Sequence, residues 1–163
     1  MHAPIIIHDV IITRERAPVG PAYVDFHPLF VAHGLEVQGR AIRPDVIRYA
    51  ELERRGVLGF FAARRRAEVV GYSCHFAYRS LHWQENVGHD DFWYVIPELR
   101  GHGIGSALRQ QGLKWAKSIG CAYVEAIMFR DLANRKLLKK LGYYRQGIRW
   151  RYDFPSDQEL SHG

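Results

Sequence analysis

Three glycines at alternate positions, Gly101, Gly103 and Gly105, follow Arg100 between an apolar strand pattern and an amphipathic helix pattern. Glycine adopts positive φ at no steric cost and allows the backbone to approach a ligand closely. The start of a helix presents unpaired N–H groups and a partial positive charge. A basic glycine turn that opens a helix therefore indicates a binding site for phosphate groups.

Two other phosphate-binding patterns fit this stretch less well. A P-loop is excluded because no Gly-Lys-Ser/Thr follows the turn. Gly101, Gly103 and Ser106 come close to the dinucleotide pattern G-x-G-x-x-G/A, with Glu125 on the next predicted strand. However, residues 97–100 separate the strand from the first glycine, where the dinucleotide fold needs a tight turn, and Glu125 lies inside its strand. On the local pattern alone, a plain glycine turn that caps a helix is the other interpretation.

Length and composition restrict the class of protein. A chain of 163 residues with 47% hydrophobic residues fits one globular domain, which we place at residues 1–155 with a disordered polar tail at 156–163. No apolar run approaches the roughly 20 residues of a membrane helix. The N-terminal Ile5, Ile6 and Ile7 are followed by His8 and Asp9 instead of a sustained apolar region, so we predict a cytoplasmic protein.

The formal net charge of +6 raises the alternative of a basic nucleic-acid-binding module. Its densest basic run, residues 64–66, falls where a hairpin turn is expected, and acidic residues are interspersed along the chain. The basic excess is therefore interpreted as a solvated surface that also favours a polyanionic ligand, and nucleic acid is an unlikely partner. Cys74 and Cys121 lack CxxC spacing and lie in predicted strands, which predicts buried reduced thiols and no metal site.

Hydrophobic periodicity and turn residues predict the order of elements. Pro28 and Pro44 are expected at the first positions of two short helices, with Phe30, Val37, Ile47 and Ala50 available for their apolar faces. Ile104, Leu108, Gln111, Trp115 and Ile119 form one stripe of a helix that starts at Gly103 and ends near Gly120. The remaining elements are a strand at 5–12, a strand pair at 57–61 and 69–78, a loop at 80–88, a strand at 92–95, an apolar parallel strand at 121–129, a helix at 132–141 and a half-exposed strand at 148–154 that can pair across a homodimer.

The glycine turn resembles the signature of the GNAT acyltransferase superfamily, in which Arg or Gln is followed by two residues, Gly, one residue, and Gly or Ala. Arg100, Gly103 and Gly105 occupy those positions. Residues 134–143 resemble the family's second signature, a helix that ends in Leu-Gly-Phe or Leu-Gly-Tyr. The order β-α-α-β-β-β-α-β-α-β is also that of the GNAT fold, so the resemblance covers most of the chain. It implies an α/β (α+β) fold with a mixed central sheet.

The resemblance implies acetyl-CoA as co-substrate, with its pyrophosphate on the amides of the turn and its pantetheine arm on the strand before it. An asparagine early in the last helix often contacts the coenzyme in this family, and nearby basic residues can meet its phosphates. The implied coenzyme-binding residues are Val95, Ile96, Arg100, Gly101, His102, Gly103, Ile104, Gly105, Ser106, Asn134 and Lys136.

A thioester is attacked by a neutral amine, and an alkyl amine with a pKa near ~10.4 is almost entirely protonated at pH 7. The family usually places a base on the strand before the turn, where His89 and Asp91 are the candidates. They are two residues apart and should face the same side of the strand. We rank His89 first because its ordinary pKa lies near ~6.5, whereas Asp91 would require burial to act as a base near neutral pH.

The family tyrosine that protonates the departing thiolate is replaced here by Leu138, and Tyr143 and Tyr144 are the nearby substitutes. The resemblance further implies that the acceptor side is flanked by Glu51, Glu53, Trp83, Glu85 and Asp90. The resemblance therefore implies an acyl-CoA-dependent N-acyltransferase, and we expect it to transfer acetyl directly to a primary amine of a small molecule or protein. The alternative on the same fold is a noncatalytic acyl-CoA sensor, which Leu138 keeps open.

Overall fold

The computed structural model describes residues 3–126 and 132–144, with only the backbone for residues 132–134. These residues form strands and helices in the order β-β-α-α-β-β-β-α-β-α, with short 3₁₀ turns at Gly20–Ala22 and Pro97–Leu99. The bounds are β1 Ile5–Ile7, β2 Val10–Glu15, α1 Tyr23–Gln38, α2 Val46–Arg54, β3 Leu58–Arg65, β4 Glu68–Arg79, β5 Asn86–Val95, α3 Ile104–Ser118, β6 Tyr123–Ala126 and α4 Leu132–Lys140. The predicted mixed α/β architecture is confirmed.

The strands form one sheet in the order β1-β2-β3-β4-β5-β6. Neighbouring strands are antiparallel from β1 to β5, whereas β6 runs parallel to β5 after the crossover through α3. Helix α3 packs on one face of the sheet, and α1 packs on the other with α2 beside it. These faces are called the α3 face and the α1–α2 face below.

The core on the α3 face is built around Ile104, Leu108 and Trp115, each at most 2% exposed, which pack against Phe61 and Val70 of the sheet. Burying these side chains removes a large apolar area from water and fixes α3 on the sheet. The predicted apolar stripe of this helix is confirmed at all three positions. The end of β5 and the start of α3, which carry the glycine turn, are therefore held by a rigid scaffold.

The core on the α1–α2 face is aromatic. Phe30 contacts Tyr72 edge-on at 5.0 Å between ring centroids, and Phe26 contacts Phe60 in the same way at 5.1 Å. His33 of α1 is buried among these rings and shares a 2.7 Å hydrogen bond with the Tyr72 hydroxyl. Burial lowers the pKa of His33 to about 4, so this histidine is neutral at physiological pH and belongs to the core.

The predictions for the first two helices were wrong in their starts and in part of their inward faces. Pro28 lies inside α1 instead of at its first position, and α2 begins after Asp45, whose side chain accepts a hydrogen bond from the Arg48 N–H. The residues taken for an apolar face include Val37, Ile47 and Ala50, all of which are exposed. Tyr49 and Leu52 of α2 face the core instead. A nine-residue helix offers too few apolar positions for periodicity to fix its rotation.

Several strand bounds also differ from the predictions. The opening strand is a hairpin of β1 and β2, with His8 in its turn at a φ of 54°. Strand β5 starts at Asn86, so the predicted loop at 80–88 is reduced to a tight turn at 80–85. Strand β6 is parallel as predicted, but Tyr123 is 38% exposed, so it is not covered on both faces. The predicted strand at 148–154 and the tail at 156–163 lie outside the described residues.

The helix at 132–140 agrees with the prediction, with Leu138 buried and Gly142 at positive φ just beyond its end. Both cysteines are unpaired thiols, Cys74 buried in β4 and Cys121 half-buried before β6. Burial raises the pKa of both thiols above the usual range, which suits packing residues better than nucleophiles. Among the described residues, no helix has both the length and the apolar character needed to cross a bilayer.

Candidate active site

The glycine turn, residues 100–105, leads from β5 into α3 in a conformation that its glycines allow. Gly101 and Gly103 have φ of +84° and +86°, in the left-handed region that disfavours other residues. Gly103 is the N-cap of α3. A Cβ atom on Gly105 would lie 3.0 Å from the Trp93 ring, so a small residue there lets the helix start close against β5. The sequence prediction of positive φ is therefore confirmed at Gly101 and Gly103, whereas Gly105 lies within α3 and is needed for its close approach to β5.

The N–H groups of the turn have few protein acceptors. The Arg100 N–H donates to the Pro97 carbonyl, and the first bond of α3 runs from the Ala107 N–H to the Gly103 carbonyl. Between these two, no described residue accepts a hydrogen bond from the N–H groups of residues 101–106. The N-terminus of α3 adds a partial positive charge at the same place. This arrangement can bind an anion with several oxygens.

The Arg100 side chain is engaged within the protein. Its Nε donates to the Val95 carbonyl at 2.9 Å, and its two terminal nitrogens bind both Glu36 oxygens at 2.8 and 2.7 Å. The pKa of Glu36 is lowered, chiefly by its hydrogen bonds to Arg100. The Arg100 charge at the mouth of the turn is therefore paired in this structure, because α1 supplies the Glu36 carboxylate.

A cavity of about 350 Å³ lies between the glycine turn and the β1–β2 hairpin. Its polar wall is formed by His8 and Asp9 of the hairpin and His102 of the turn, and Leu99 and Ile104 are among its apolar residues. The two histidine rings meet edge-on with centroids 6.2 Å apart. This cavity provides space beside the N–H groups of the turn.

The main chain of β5 near the turn is partly occupied. The Ile96 N–H donates to the Val70 carbonyl at 3.0 Å, so it is not available as a donor to a ligand. Strand β6 pairs with β5 over residues 87–90 only, and residues 92–95 have no second neighbouring strand in the part of the chain that the structure describes. This open edge of β5 leads directly into the glycine turn.

A β-bulge in β5 sets the direction of two adjacent carboxylates. Cys74 of β4 faces Phe92 and His75 faces Asp90, so Asp91 is an extra residue without an opposite partner. Asp91 reaches the α1–α2 face, whereas Asp90 reaches α3 on the opposite face. Such bulges redirect side chains and are frequent beside active sites.

Asp91 lines a cavity of about 450 Å³ that is formed by α2, β4 and the starts of the neighbouring elements; we call it the α2 cavity. Tyr49 of α2 and Cys74 and Phe76 of β4 lie on its walls. Burial, with a smaller contribution from the charge of Asp90, raises the pKa of Asp91 to about 6. A carboxylate with a pKa just below the working pH is ionised and able to accept a proton.

His89 lies on the same face as Asp91, as the spacing predicted. Its ring is 4.8 Å from that of Phe76, its partner across β4 and β5, and the residue is 7% exposed. Among the described residues, those that line the α2 cavity include Asp91 and Phe76 but not His89. Asp91 thus lines the α2 cavity and His89 does not, and the ranking of His89 as the first base stays a prediction.

Asp90 does not join the acceptor side, contrary to the expectation. Its carboxylate forms an ion pair with Arg109 of α3, and its other oxygen lies 3.7 Å from His75 Nδ1, all three residues being at most 2% exposed. The Arg109 guanidinium lies over the Trp93 ring at 4.8 Å and near the Tyr143 ring at 5.8 Å. This group fixes α3 to the bulge from the face opposite the α2 cavity.

The other predicted site residues are dispersed. Trp83 and Glu85 are exposed at the β4–β5 turn, about 20 Å from Asp91 at ~3.3 Å per strand residue. Tyr144 is 82% exposed, whereas the Tyr143 hydroxyl is buried near Arg109. Two of the remaining residues have other partners, since Glu51 pairs with Arg48 and Glu53 accepts a hydrogen bond from the Ala17 N–H. On α4, Lys136 is exposed, and Asn134 is described by its backbone alone.

The residues on the α2 side of this cavity were not predicted as site residues from the sequence. Tyr49, Arg55 and Arg79 line it together with Asp91. Burial raises the pKa of Tyr49 above its usual range, and Asp91 is one of the charges that add to the effect. An N-cap at Asp45 would have placed Tyr49 and Leu52 on one face of the helix, and this signal was available in the sequence.

Comparisons with known proteins agree with this geometry. Residues 25–143 match the profile of the acetyltransferase (GNAT) family. A comparison with curated proteins finds no match. Among solved structures, an aminoglycoside acetyltransferase from an uncultured soil metagenomic sample, in complex with sisomicin, is similar with a TM-score of 0.72, 17% identity, and 90% of this chain and 97% of that chain covered.

A ribosomal-protein-alanine N-acetyltransferase from Brucella melitensis biovar Abortus 2308 is similar with a TM-score of 0.68 and 20% identity, covering 90% of this chain and 100% of that chain. A transcriptional regulator from Bacillus halodurans C-125 is similar with a TM-score of 0.65 and 18% identity, covering 86% of this chain and 99% of that chain. At these identities the structures share the fold, and their acceptors and roles differ from one another.

Proposed function

Because this chain belongs to the acetyltransferase (GNAT) family, we propose that it transfers an acetyl group from acetyl-CoA directly to a primary amine bound in the α2 cavity. The observation that carries this proposal is the coincidence of two features on adjacent segments. The glycine turn has N–H groups without acceptors among the described residues, and Asp91, whose pKa is about 6, lines a cavity on the strand that leads into that turn.

The coenzyme's diphosphate fits the turn by its charge and by its oxygens. The N–H groups of residues 101–106 point from a backbone that Gly101 and Gly103 hold at positive φ, and the α3 N-terminus favours a negative charge there. The histidines His8 and His102 line the adjacent cavity and are further partners for phosphate oxygens. Arg100 is held by Glu36, so its contribution depends on an exchange of that carboxylate for a phosphate.

The open edge of β5 is the place that we assign to the pantetheine arm. Residues 92–95 have no second neighbouring strand among the described residues, and main-chain groups at such an edge can pair with the amides of an extended ligand. The edge ends at the glycine turn on one side and at the bulge on the other. An arm bound there brings the thioester towards Asp91.

In the proposed reaction, Asp91 accepts the proton that the amine loses as its nitrogen attacks the thioester carbonyl. The new C–N bond forms a tetrahedral intermediate, the C–S bond then breaks, and the sulfur leaves as a thiolate. A thiol with an ordinary pKa near ~8.5 is a tolerable leaving group without a protein acid. Leu138 has no proton to donate, and burial raises the pKa of Tyr143, so neither is assigned as an acid.

Direct transfer is preferred to a cysteine intermediate. The Cys74 thiol lies in the cavity wall, but burial and the nearby Asp91 and Asp90 charges raise its pKa. A thiol with a raised pKa is a poor nucleophile at neutral pH. Cys74→Ala should therefore retain transfer, and a trapped acetyl-thioester on Cys74 would contradict the direct route.

The proposal is tested by thermal shift with acetyl-CoA, followed by detection of released thiol with a panel of amines. We expect stabilisation by acetyl-CoA that is lost in Gly103→Trp, since that side chain would fill the turn, and amine-dependent thiol release that is lost in Asp91→Asn. Stabilisation without thiol release from any amine would favour the noncatalytic sensor. Binding of DNA or RNA that persists in Gly103→Trp, without any effect of acetyl-CoA, would favour the nucleic-acid-binding module.

A further inference from the structure

We infer that the acceptor of the proposed reaction carries, besides its primary amine, an anionic group, a carboxylate or a phosphate, that is recognised by arginines of the α2 cavity. This inference rests on the proposed function, because it takes the α2 cavity as the acceptor site. It adds the chemical class of the acceptor, which neither the family nor the similar structures determine.

The cationic part of the cavity wall consists of Arg48, Arg55 and Arg79. Arg48 already has a carboxylate partner, since its guanidinium lies 3.0 Å from Glu51. Arg55, just after the end of α2, and Arg79, at the end of β4, form no ion pair with any described residue. Two guanidinium groups at one cavity, without a counter-ion in the part of the chain that the structure describes, are suited to a carboxylate or phosphate of a ligand.

The anionic part of the cavity wall consists of Asp45 and Asp91 and is smaller than the cationic part. Asp45 caps α2 by accepting the Arg48 N–H at 2.9 Å, so its carboxylate is engaged at the rim. Asp91 lies deeper, and its raised pKa matches the acceptance of one proton from one amine. The cavity thus combines one half-buried carboxylate with two arginines that form no ion pair among the described residues. This charge pattern is complementary to a ligand with one amine and one anion.

The same pattern disfavours a polycation. An acceptor with several ammonium groups would bring at least one of them near Arg55 or Arg79, where like charges repel. The similar structure from a soil metagenomic sample is that of an aminoglycoside acetyltransferase bound to sisomicin. This chain shares the fold of that structure. We nevertheless expect it to discriminate against acceptors with several ammonium groups.

The walls between the two charged parts are aromatic. Tyr49, Phe76 and Tyr78 line the cavity, whose volume is about 450 Å³. Arg79 lies five residues beyond Cys74 on β4, about 16 Å along the strand at ~3.3 Å per residue. An acceptor that contacts both charged parts is therefore extended, with an apolar middle section that packs against these rings.

The test uses amines matched in length that differ only at the far end. Straight-chain primary amines of four to eight carbons end in a carboxylate, a phosphonate, a hydroxyl or a second amine, and thiol release from acetyl-CoA gives kcat/KM for each. We expect the carboxylate or phosphonate series to exceed the alcohols by about tenfold or more, and the diamines to be the poorest. The better of the two anionic series identifies the group. Equal values for alcohols and anions, or a preference for diamines, would overturn the inference.

Substitutions locate the recognition. Arg55→Met and Arg79→Met should raise KM for the anionic amine by about tenfold while leaving the amino alcohol unchanged, and Arg55→Lys should restore part of the loss. Arg54→Met is the matched control, because Arg54 is an exposed neighbour on α2 outside the cavity wall. Equal effects of Arg54→Met and Arg55→Met would refute a specific contact.

Calorimetry separates this inference from the proposed function. The CoA-bound protein is titrated with the anionic amine and with the amino alcohol, which requires no turnover. Tighter binding of the anionic amine that depends on Arg55 or Arg79, without thiol release, would retain anion recognition and reject the transferase. Thiol release that favours alcohols or diamines would retain the transferase and reject anion recognition.

Discussion

Replacement of Asp91 by Asn tests whether the bulge of β5 delivers the base. The substitution keeps the shape of the side chain and removes its ability to accept a proton. Burial beside Asp90 raises the pKa of Asp91 from 3.8 to about 6, which corresponds to ~3 kcal/mol in favour of the neutral form. This environment turns an ordinarily weak base into one that is matched to neutral pH.

The magnitude follows from the ionised fraction. With a pKa of about 6, Asp91 is roughly nine-tenths ionised at pH 7 and roughly one-tenth ionised at pH 5. The rate per neutral amine should therefore fall about tenfold between these two pH values. A carboxylate with an ordinary pKa would lose less than about a tenth of its ionised form over the same range. Asp91→Asn should lower kcat/KM by about 10²- to 10⁴-fold and flatten this part of the profile.

The assay is initial thiol release between pH 5 and pH 8, divided by the concentration of unprotonated amine at each pH. His89→Gln is the matched variant. An ordinary histidine would give an acidic limb of the pH–rate profile near pH ~6.5, which is hard to distinguish from the limb that Asp91 would give. Addition of an organic cosolvent also separates the two groups. A lower dielectric constant disfavours the charged form, so it raises the pKa of a carboxyl group and lowers that of an imidazolium.

Asp91 is not the base if Asp91→Asn keeps the acidic limb of the pH–rate profile and His89→Gln loses it. The same conclusion follows if the limb of the unsubstituted protein moves to lower pH with cosolvent, since that is the behaviour of a histidine. A loss of activity in Asp91→Asn that is accompanied by a lower thermal midpoint would reflect folding. The two variants are therefore compared at equal folded fraction.

Three further results are expected. Gly103→Ala should destabilise the protein by about 1–2 kcal/mol in urea unfolding and weaken acetyl-CoA binding. A φ of +86° is costly for alanine, although the nearest atom to the added methyl group is 4.0 Å away. Unchanged stability would show that alanine is not strained at this position. Glu36→Gln should tighten CoA binding about two- to fivefold by calorimetry at low salt, since Arg100 becomes free, and weaker binding would show that the pair positions the turn. Arg109→Met should lower the free energy of unfolding by about 3–5 kcal/mol, because it leaves the Asp90 carboxylate unpaired. The double variant with Asp90→Asn should lose less stability. In that double variant the acidic limb of the pH–rate profile should lie at lower pH.

The part of the fold that the sequence predicted depends on long, regular patterns. Helix α3 has a continuous apolar stripe, an N-terminal glycine turn and a terminal Gly120, and each of these signals agrees with the structure. The short helices gave no such agreement. Helix α2 has nine residues, and its inward face is set by packing of Tyr49 against the sheet, so its rotation was predicted incorrectly.

The candidate site was predictable where a backbone pattern determines it. Gly101 and Gly103 indicate the turn because other residues rarely adopt their φ values. The bulge at Asp91 has no such signal, since the register shift arises from pairing with β4. The opposite directions of Asp90 and Asp91 agree with a strict alternation, but Asp91 and Phe92 both lie on the α1–α2 face, which alternation does not predict. The partner of Arg100, Glu36, is 64 residues away and is found only in three dimensions.

Helix α3 connects the two parts of the proposed site. Its N-terminus carries the glycine turn, which we propose binds the phosphates. Arg109, about 9 Å further along at ~1.5 Å per residue, holds Asp90 beside the bulge. Trp93 contributes at both ends of this stretch, since it lies against Gly105 and under Arg109. A displacement of the helix start would therefore also move the group that fixes the bulge. The position of Asp91 relative to the β5 edge, where we propose that the thioester lies, is in this way determined by the same buried contacts that hold the glycine turn.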